Sequence, residues 1–227
     1  MESEMAADST EVKVDVVSDV VCPWCFVGKR RLDAALARSD DAPVAVRWRP
    51  FQLDPTIPPQ GLERRAYMRA KFRDDARLAE VHARLKALGE EVGIAFDFDA
   101  IARSPNTLDA HRLIRWAAAG RVQEDVVERL FSAYFEQGRD IGDRGVLIEI
   151  AGECGMDAGA VERRLAGDDD VAAVRAEMAE AQAIGVTGVP FFIFANQFAV
   201  SGAQSADVLA RALERARSDG GGRVEVA

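Results

Sequence analysis

Cys22 and Cys25, three positions apart, are the residues of this chain whose types and spacing suit covalent chemistry. They sit in the segment Ser18-Asp19-Val20-Val21-Cys22-Pro23-Trp24-Cys25-Phe26-Val27-Gly28. An alternating apolar run over residues 12–17 precedes them and reads as a strand. Beyond them, Leu32, Ala35 and Leu36 fall on one side of a helix. A cysteine at such a junction meets unpaired amide N–H groups and the positive end of the helix dipole, which favour its thiolate. Pro23 fits the first helical turn, where its missing N–H costs nothing. Cys25, one turn further on, stays within bonding reach, so the pair has the spacing of a reversible dithiol/disulfide. The competing account is a zinc half-site, or two ordinary buried thiols. Structural zinc takes four ligands, and the rest of the chain offers Cys154, His82 and His111, none in a paired motif. Redox chemistry is therefore expected, and no metal.

The elements that must position this pair follow from the pattern on either side. Residues 1–11 read as a lead-in, followed by the strand and by a helix over about 23–38. Ser39, Asp40, Asp41, Ala42 and Pro43 supply turn chemistry. Residues 44–51 alternate again and read as a second strand closed by Pro50. Strand, helix, strand within 40 residues makes a βαβ unit with a parallel pair. Residues 54–61 hold three prolines and a glycine, and read as a loop and a domain boundary.

Helical periodicity then runs to about Gly185. Leu78, Val81, Leu85, Leu88 and Val92 make one stripe. Val126/Val127, Leu130/Phe131 and Tyr134/Phe135 make another, and Val146/Leu147 with Ile150/Ala151 a third. Ile94 to Phe98 reads as a short extended interruption. Asp168, Asp169 and Asp170 give an acidic start to a last helix bearing Val171, Val174 and Met178. After Gly185 the β pattern returns: Phe191 to Phe194 as a buried strand, a tight turn at Asn196-Gln197, a partner strand from Phe198, and a helix from about Ser205 to Arg215. Residues 218–222 read as a frayed tail. The order places the chain in the α/β class, as a thioredoxin-like fold opened by a large all-helical insertion. Residues 12–60 and 186–217 form the discontinuous thioredoxin-like domain and residues 61–185 the insertion.

Composition excludes some functions. With 227 residues, 48% hydrophobic and 30% charged, the chain can bury a sizeable core. A net charge of −9 without a basic tail argues against a nucleic-acid binder. The local basic run Arg64, Arg65, Arg69, Lys71 and Arg73 reads as a solvated helix face, and no function is placed there. Residues 1–8 are acidic and lack an apolar signal core, and no stretch is long enough to cross a bilayer. The expectation is a cytoplasmic protein with no membrane partner, where three cysteines do not form a disulfide scaffold.

Four blocks carry a resemblance: Asp19 to Gly28, Asn106-Thr107-Leu108-Asp109-Ala110-His111-Arg112-Leu113, Thr187-Gly188-Val189-Pro190-Phe191-Phe192, and Ser201-Gly202-Ala203-Gln204. In this order, across about residues 12–215, the sequence resembles the FrnE-type branch of the DsbA family. The resemblance implies a DsbA-like thiol–disulfide oxidoreductase with Cys22 as nucleophile, the more exposed of the two thiols, and Cys25 as resolving thiol. Val189-Pro190 matches the family's cis-proline loop, which faces the dithiol and pairs with an extended substrate. A proline opening a strand is ordinarily trans; the preceding Thr-Gly and the resemblance lead us to expect cis. Pro23 and Trp24 would tune the potential. Trp24 brings no positive charge, so the couple should lie near the middle of the roughly −120 to −270 mV range of this class. Lys29, Arg30 and Arg31 are placed to help the thiolate and Asp19 to oppose it.

His111 falls at helical spacing from Leu108, Ile114 and Ala118, which reads first as a core histidine. The resemblance makes its neighbourhood a wall of the cleft and lists Asn106 and His111 with the binding residues. Cys154 continues the apolar face of residues 146–151 and reads as buried and inert. Relatives of this fold include 2-hydroxychromene-2-carboxylate isomerases and kappa-class glutathione transferases, which generally carry serine where Cys22 stands. Two cysteines point away from that chemistry, which stays the enzymatic alternative. Glutathione as co-substrate, near Val189, Gln204 and Ser205, fits either reading. The alternative of another class is a holdase that covers unfolded segments. Partners are thus a protein or small-molecule thiol or disulfide, and the chain is expected to be a monomer or homodimer.

Overall fold

The computed structural model describes residues 11–38 and 43–218. The lead-in, the turn over residues 39–42 and the tail beyond 218 lie outside the described residues. In chain order β1 (Val12–Ser18), α1 (Pro23–Leu36) and β2 (Val44–Pro50) form the expected unit, with β1 and β2 parallel and Val16 opposite Trp48. The insertion carries β3 (Leu62–Glu63), α2 (Arg64–Phe72), α3 (Asp75–Val92), β4 (Arg103–Ser104), α4 (Leu108–Ala119), α5 (Gln123–Phe135), α6 (Arg144–Glu153), α7 (Ala158–Ala166) and α8 (Val171–Ala183). The chain then closes with β5 (Phe191–Phe194), β6 (Phe198–Ser201) and α9 (Ala206–Ser218).

The main sheet has the order β2-β1-β5-β6, with β5 antiparallel to β1 and β6 antiparallel to β5. Central β1 is covered on both faces, and Val14, Val16 and Val17 are fully buried. That explains an apolar run without strict alternation at its C-terminal end. On one face, Val14, Val16, Phe192 and Phe194 join the large core with α1 and α9; on the other, Val17, Phe191 and Ile193 pack with Phe51, Ala181 and Val186. The fold is thus thioredoxin-like, α/β, with a helical insertion between β2 and β5. Among the described residues no helix is long and apolar enough to cross a membrane.

The insertion has no core of its own. Phe26 of α1 stacks on Phe131 of α5 at 5.0 Å between centroids and meets Phe96 edge-on at 6.0 Å, and Phe96 stacks on Phe98 at 5.0 Å. These rings belong to one cluster running from the sheet into the helices. Each aromatic pair of this kind adds about 1 kcal/mol beyond its buried area.

Local chemistry sets the helix ends. The carboxylates of Glu63, Asp74, Asp143 and Asp157 accept first-turn amides of α2, α3, α6 and α7, which satisfies groups with no partner inside the helix. The acidic start of α8 works differently. Asp170 occupies the cap position in a left-handed conformation without capping; its carboxylate accepts from Trp116 Nε1 at 2.7 Å and is held below the usual carboxylate range first by that bond. Two further expectations are corrected. Ile94 to Phe98 buries alternate residues like a strand but pairs with none, and the short ladder of the insertion is instead β3 with β4. The hairpin corner is Ala195-Asn196, both at positive φ, with the Gln197 amide donating to Phe194 O at 2.9 Å. That geometry matches the twist of the strands.

Two contacts lend themselves to test. Arg112 is 1% exposed and donates to the carbonyls of Asp169, Arg164 and Gly167 and to Asp109, at 2.6–2.8 Å. Arg112→Met orphans three carbonyls where α7 passes to α8, and should cost on the order of 3 kcal/mol in urea unfolding. Gly28 lies where a Cβ would come within 2.9 Å of Pro190 Cγ and 3.2 Å of Phe192 Cζ. Despite the higher helix propensity of alanine, Gly28→Ala should destabilise by about 1–3 kcal/mol, read in the same experiment.

Candidate active site

The chemistry expected of residues 22–25 sits at the start of α1. Cys22 is the N-cap residue, in extended conformation, and Pro23 holds the first helical position. The Cys22 carbonyl accepts the amides of Cys25 at 3.0 Å and Phe26 at 3.3 Å, so the helix begins on the first cysteine itself. Cys22 is 3% exposed and Cys25 fully buried, and neither is in a disulfide. Little of Cys22 reaches bulk solvent, and it lines a cleft. The Cys22 thiol donates to the Val189 carbonyl at 3.7 Å. The Val189–Pro190 peptide is cis.

The two thiols differ in environment. Burial pushes the Cys25 thiol well above its ordinary value, and the hydrogen bond and charge of Cys22 push it the same way; Ser18 and the Asp19 backbone offset this in part. The cations expected to assist are occupied elsewhere. Lys29 contacts Asp33 at 3.0 Å, Glu124 at 2.6 Å and Glu128 at 3.1 Å. Burial alone would lower its pKa, but these carboxylates outweigh it and raise it. Arg30 pairs with Glu128 and Arg31 donates to Ala203 O. The cation that does approach the motif is Arg84 of α3, whose guanidinium lies 5.5 Å from the Trp24 ring centroid.

The cleft, about 290 Å³, is walled by Cys22, Pro23, Trp24, Gly188 and Val189 on the dithiol side and by Leu53, Asp54 and Ile57 from the loop after β2. Arg64, Tyr67, Met68, Lys71 and Phe72 of α2 with Leu78, Val81, His82 and Leu85 of α3 form its roof. Three positions of the α3 stripe thus line a cleft. Tyr67 donates to Asp54 Oδ2 at 3.1 Å across it. The hydroxyl and amide of Thr56, followed by Tyr67, hold the Asp54 carboxyl below its usual range. Tyr134, its phenol pushed up to about 12 mainly by burial, lines the cleft beside Arg64.

Of the residues singled out in the sequence, Cys22, Pro23, Trp24 and Val189 line this cleft, with Cys25 beneath and Pro190 buried behind. The others lie elsewhere. Asn106 donates to Ile57 O at 2.6 Å and accepts from Gln52 and the Leu108 amide; it secures the loop that walls the cleft and does not line it. His111 is 3% exposed, and its Nε2 sits 2.9 Å from Phe51 O and 3.4 Å from Asp19 Oδ1. A ring nitrogen this close to a carbonyl must carry the proton and donate. Asp19, 1% exposed, accepts the Leu53 amide at 2.8 Å, so the histidine and aspartate tie β1 to the loop. Gln204 and Ser205 are exposed between β6 and α9, where Gln204 donates to Ser201 O and the Ser205 hydroxyl accepts the Val208 amide. Cys154 is half-buried rather than buried, and its thiol is raised first by desolvation. Among the described residues no three His, Cys, Asp or Glu side chains gather as a metal-holding group.

Sequence reasoning missed Asp54, Arg64, Tyr67 and Tyr134. A signal existed for two of them: Arg64, Tyr67 and Lys71 repeat at 3 and 4 on one face of the basic run, interleaving cations with an aromatic ring.

Comparison with known proteins agrees with this architecture. The chain is 30% identical over 206 residues to the uncharacterized protein YwbO of Bacillus subtilis strain 168, covering 89% of this chain and 96% of that one. A probable DsbA oxidoreductase from Streptomyces coelicolor superposes with a TM-score of 0.84 at 32% identity, covering 92% of this chain and 91% of that one. The cytosolic disulfide reductase DsbM of Pseudomonas aeruginosa gives a TM-score of 0.59 at 18% identity, over 91% and 96% of the two chains, and shares the fold. The DSBA-like thioredoxin domain matches residues 13–214, and the chain belongs to that family.

Proposed function

We propose that the chain is a thiol–disulfide oxidoreductase of the FrnE type, acting through Cys22-Pro23-Trp24-Cys25. One observation carries the reading: Cys22 forms the wall of a cleft at the amide end of α1, while Cys25 lies one turn on and sealed from it. In the reductive direction the Cys22 thiolate attacks a substrate disulfide. A Cys22–substrate disulfide forms, and the other substrate sulfur leaves as a thiolate. Cys25, as thiolate, then attacks Cys22 Sγ, closing the Cys22–Cys25 bond and releasing the second substrate thiol. Two electrons and two protons pass from the dithiol to the substrate, and the reverse sequence oxidises a dithiol substrate. That Cys22 lines the cleft and Cys25 does not supports this order of attack. Val189, with its carbonyl on the Cys22 thiol, is the group beside which the substrate sulfur must settle. The glutathione-using isomerase alternative draws less support because both Cys22 and Cys25 are present; of Val189, Gln204 and Ser205, where glutathione is expected in either reading, Val189 lines the cleft.

Titrating the protein against a glutathione buffer, with Trp24 fluorescence as reporter, should give one two-electron transition with a midpoint roughly between −270 and −120 mV. Cys22→Ser should abolish it. Thiols that stay unreactive in the folded wild-type protein would sink the proposal.

The resolving step should have its own pH dependence. Burial, the larger cause of the raised Cys25 value, persists after Cys22 has entered a mixed disulfide, so Cys25 stays mainly protonated at neutral pH. The thiolate is the nucleophile, so decay of a preformed Cys22 mixed disulfide should accelerate about tenfold per pH unit from neutrality upward. Stopped-flow release of the second thiol measures this. Cys25→Ser should leave the mixed disulfide standing at every pH.

A further inference from the structure

The geometry points to a substrate class: a low-mass disulfide, or in reverse a thiol, with a compact apolar body and an anionic group held by Arg64. This rests on the dithiol reading above. Cys22 meets its substrate inside a cleft of about 290 Å³, near the lower end of the roughly 300–1,000 Å³ of small-molecule sites. Its walls at Leu53, Ile57, Met68 and Leu85 are apolar and suit a ring-sized body better than a polar tripeptide.

Charge within the cleft is uneven. Arg64 is half-buried, and its partners are neutral: it donates to Tyr134 Oη at 3.0 Å and lies 5.8 Å from the centroid of that ring. No carboxylate lies within ion-pairing distance of Arg64 among the described residues. The two carboxylates that line the cleft are already engaged, Asp54 with Thr56 and Tyr67 and Asp19 with the Leu53 amide beside His111. Lys71 donates to the Tyr67 hydroxyl, close to Asp54. Neither Arg64 nor Lys71 is ion-paired among the described residues, but Lys71 has Asp54 nearby while the partners of Arg64 are neutral, and the planar donor fork of Arg64 matches a carboxylate. Arg65 and Arg69 are exposed and line a separate hollow on the other side of α2, not the cleft.

In the reaction the Cys22 thiolate displaces one thiolate from the substrate disulfide, and Cys25 displaces the other. The dithiol supplies both electrons, and the anionic group on Arg64 takes no part in bond making.

The test is the rate at which the reduced protein is oxidised by dithionitrobenzoate, an anionic aromatic disulfide, by neutral dithiodipyridine and by oxidised glutathione. Each rate is divided by that of dithiothreitol with the same disulfide, which removes intrinsic reactivity. The wild-type protein should prefer the anionic over the neutral aromatic disulfide by about tenfold. Arg64→Gln should collapse that ratio to about 1, while Arg64→Lys keeps most of it. An unchanged ratio in Arg64→Gln, or an equal loss towards both aromatic disulfides, would overturn the assignment, the latter by making Arg64 a merely structural residue. So would a wild-type preference for oxidised glutathione. Reaction with none of the three by a folded protein would instead remove the dithiol reading itself.

Discussion

The close approach of α1 to β5 fixes the position of everything that matters chemically. It is possible because residue 28 has no side chain: any Cβ there would press on Pro190 and Phe192. With α1 seated this way, Cys22 comes to the Val189 carbonyl, and Cys25, one turn on, is carried into the interior. Phe26, next in sequence, faces the insertion and stacks on Phe131. One helix therefore transmits the position of the sheet to the dithiol and the position of the insertion to the sheet. Close-packed interiors yield little to such displacements, so a shift of α1 would alter thiol geometry and core packing together.

The difference between the two thiols comes from burial rather than from neighbouring cations. Lys29 and Arg30 lie one to two turns into the same helix, but their charges are absorbed by Asp33, Glu124 and Glu128. What distinguishes Cys22 is its place at the helix start, on the wall of the cleft. What distinguishes Cys25 is desolvation, which opposes ionisation. Under the proposed function, Cys22 would attack because it lines the cleft, and Cys25, buried and with its thiol raised, would resolve.

Much of this was legible in the sequence because the signals are local. The strand before Cys22, Pro23 at the first helical position, the βαβ unit and the returning β pattern near Phe191 all report nearest-neighbour chemistry. The periodicity of Val126 to Phe135 correctly marked a buried helix. The side-chain partners were not legible. Nothing in residues 29–31 shows that two of the three carboxylates meeting Lys29, Glu124 and Glu128, come from nearly 100 residues away in α5. Asn106 and His111 stand near the cleft in the chain, yet their side chains serve the loop behind it. The α3 stripe at Leu78, Val81 and Leu85 has the pattern of a core face, and periodicity cannot tell a face that meets protein from one that meets a cleft.

That ambiguity locates the division of labour within the insertion. Its α5 is anchored by a row of fully buried residues, whereas α2 buries none. Helix α2 is flanked by the active cleft on one side and by a second hollow of about 510 Å³, lined by Arg65, Arg69 and Asp99 among others, on the other. Its polar holds include the Glu63 cap, the Arg64 amide on Ala102 O, the Arg64–Tyr134 hydrogen bond and the Tyr67–Asp54 hydrogen bond. Elements held by so few contacts are the ones that open locally at small free-energy cost. The dithiol is thus set by a helix packed between sheet and insertion and covered by one that buries no residue. Substitutions in α2 can accordingly reshape what reaches Cys22 while leaving the sulfur chemistry of α1 intact.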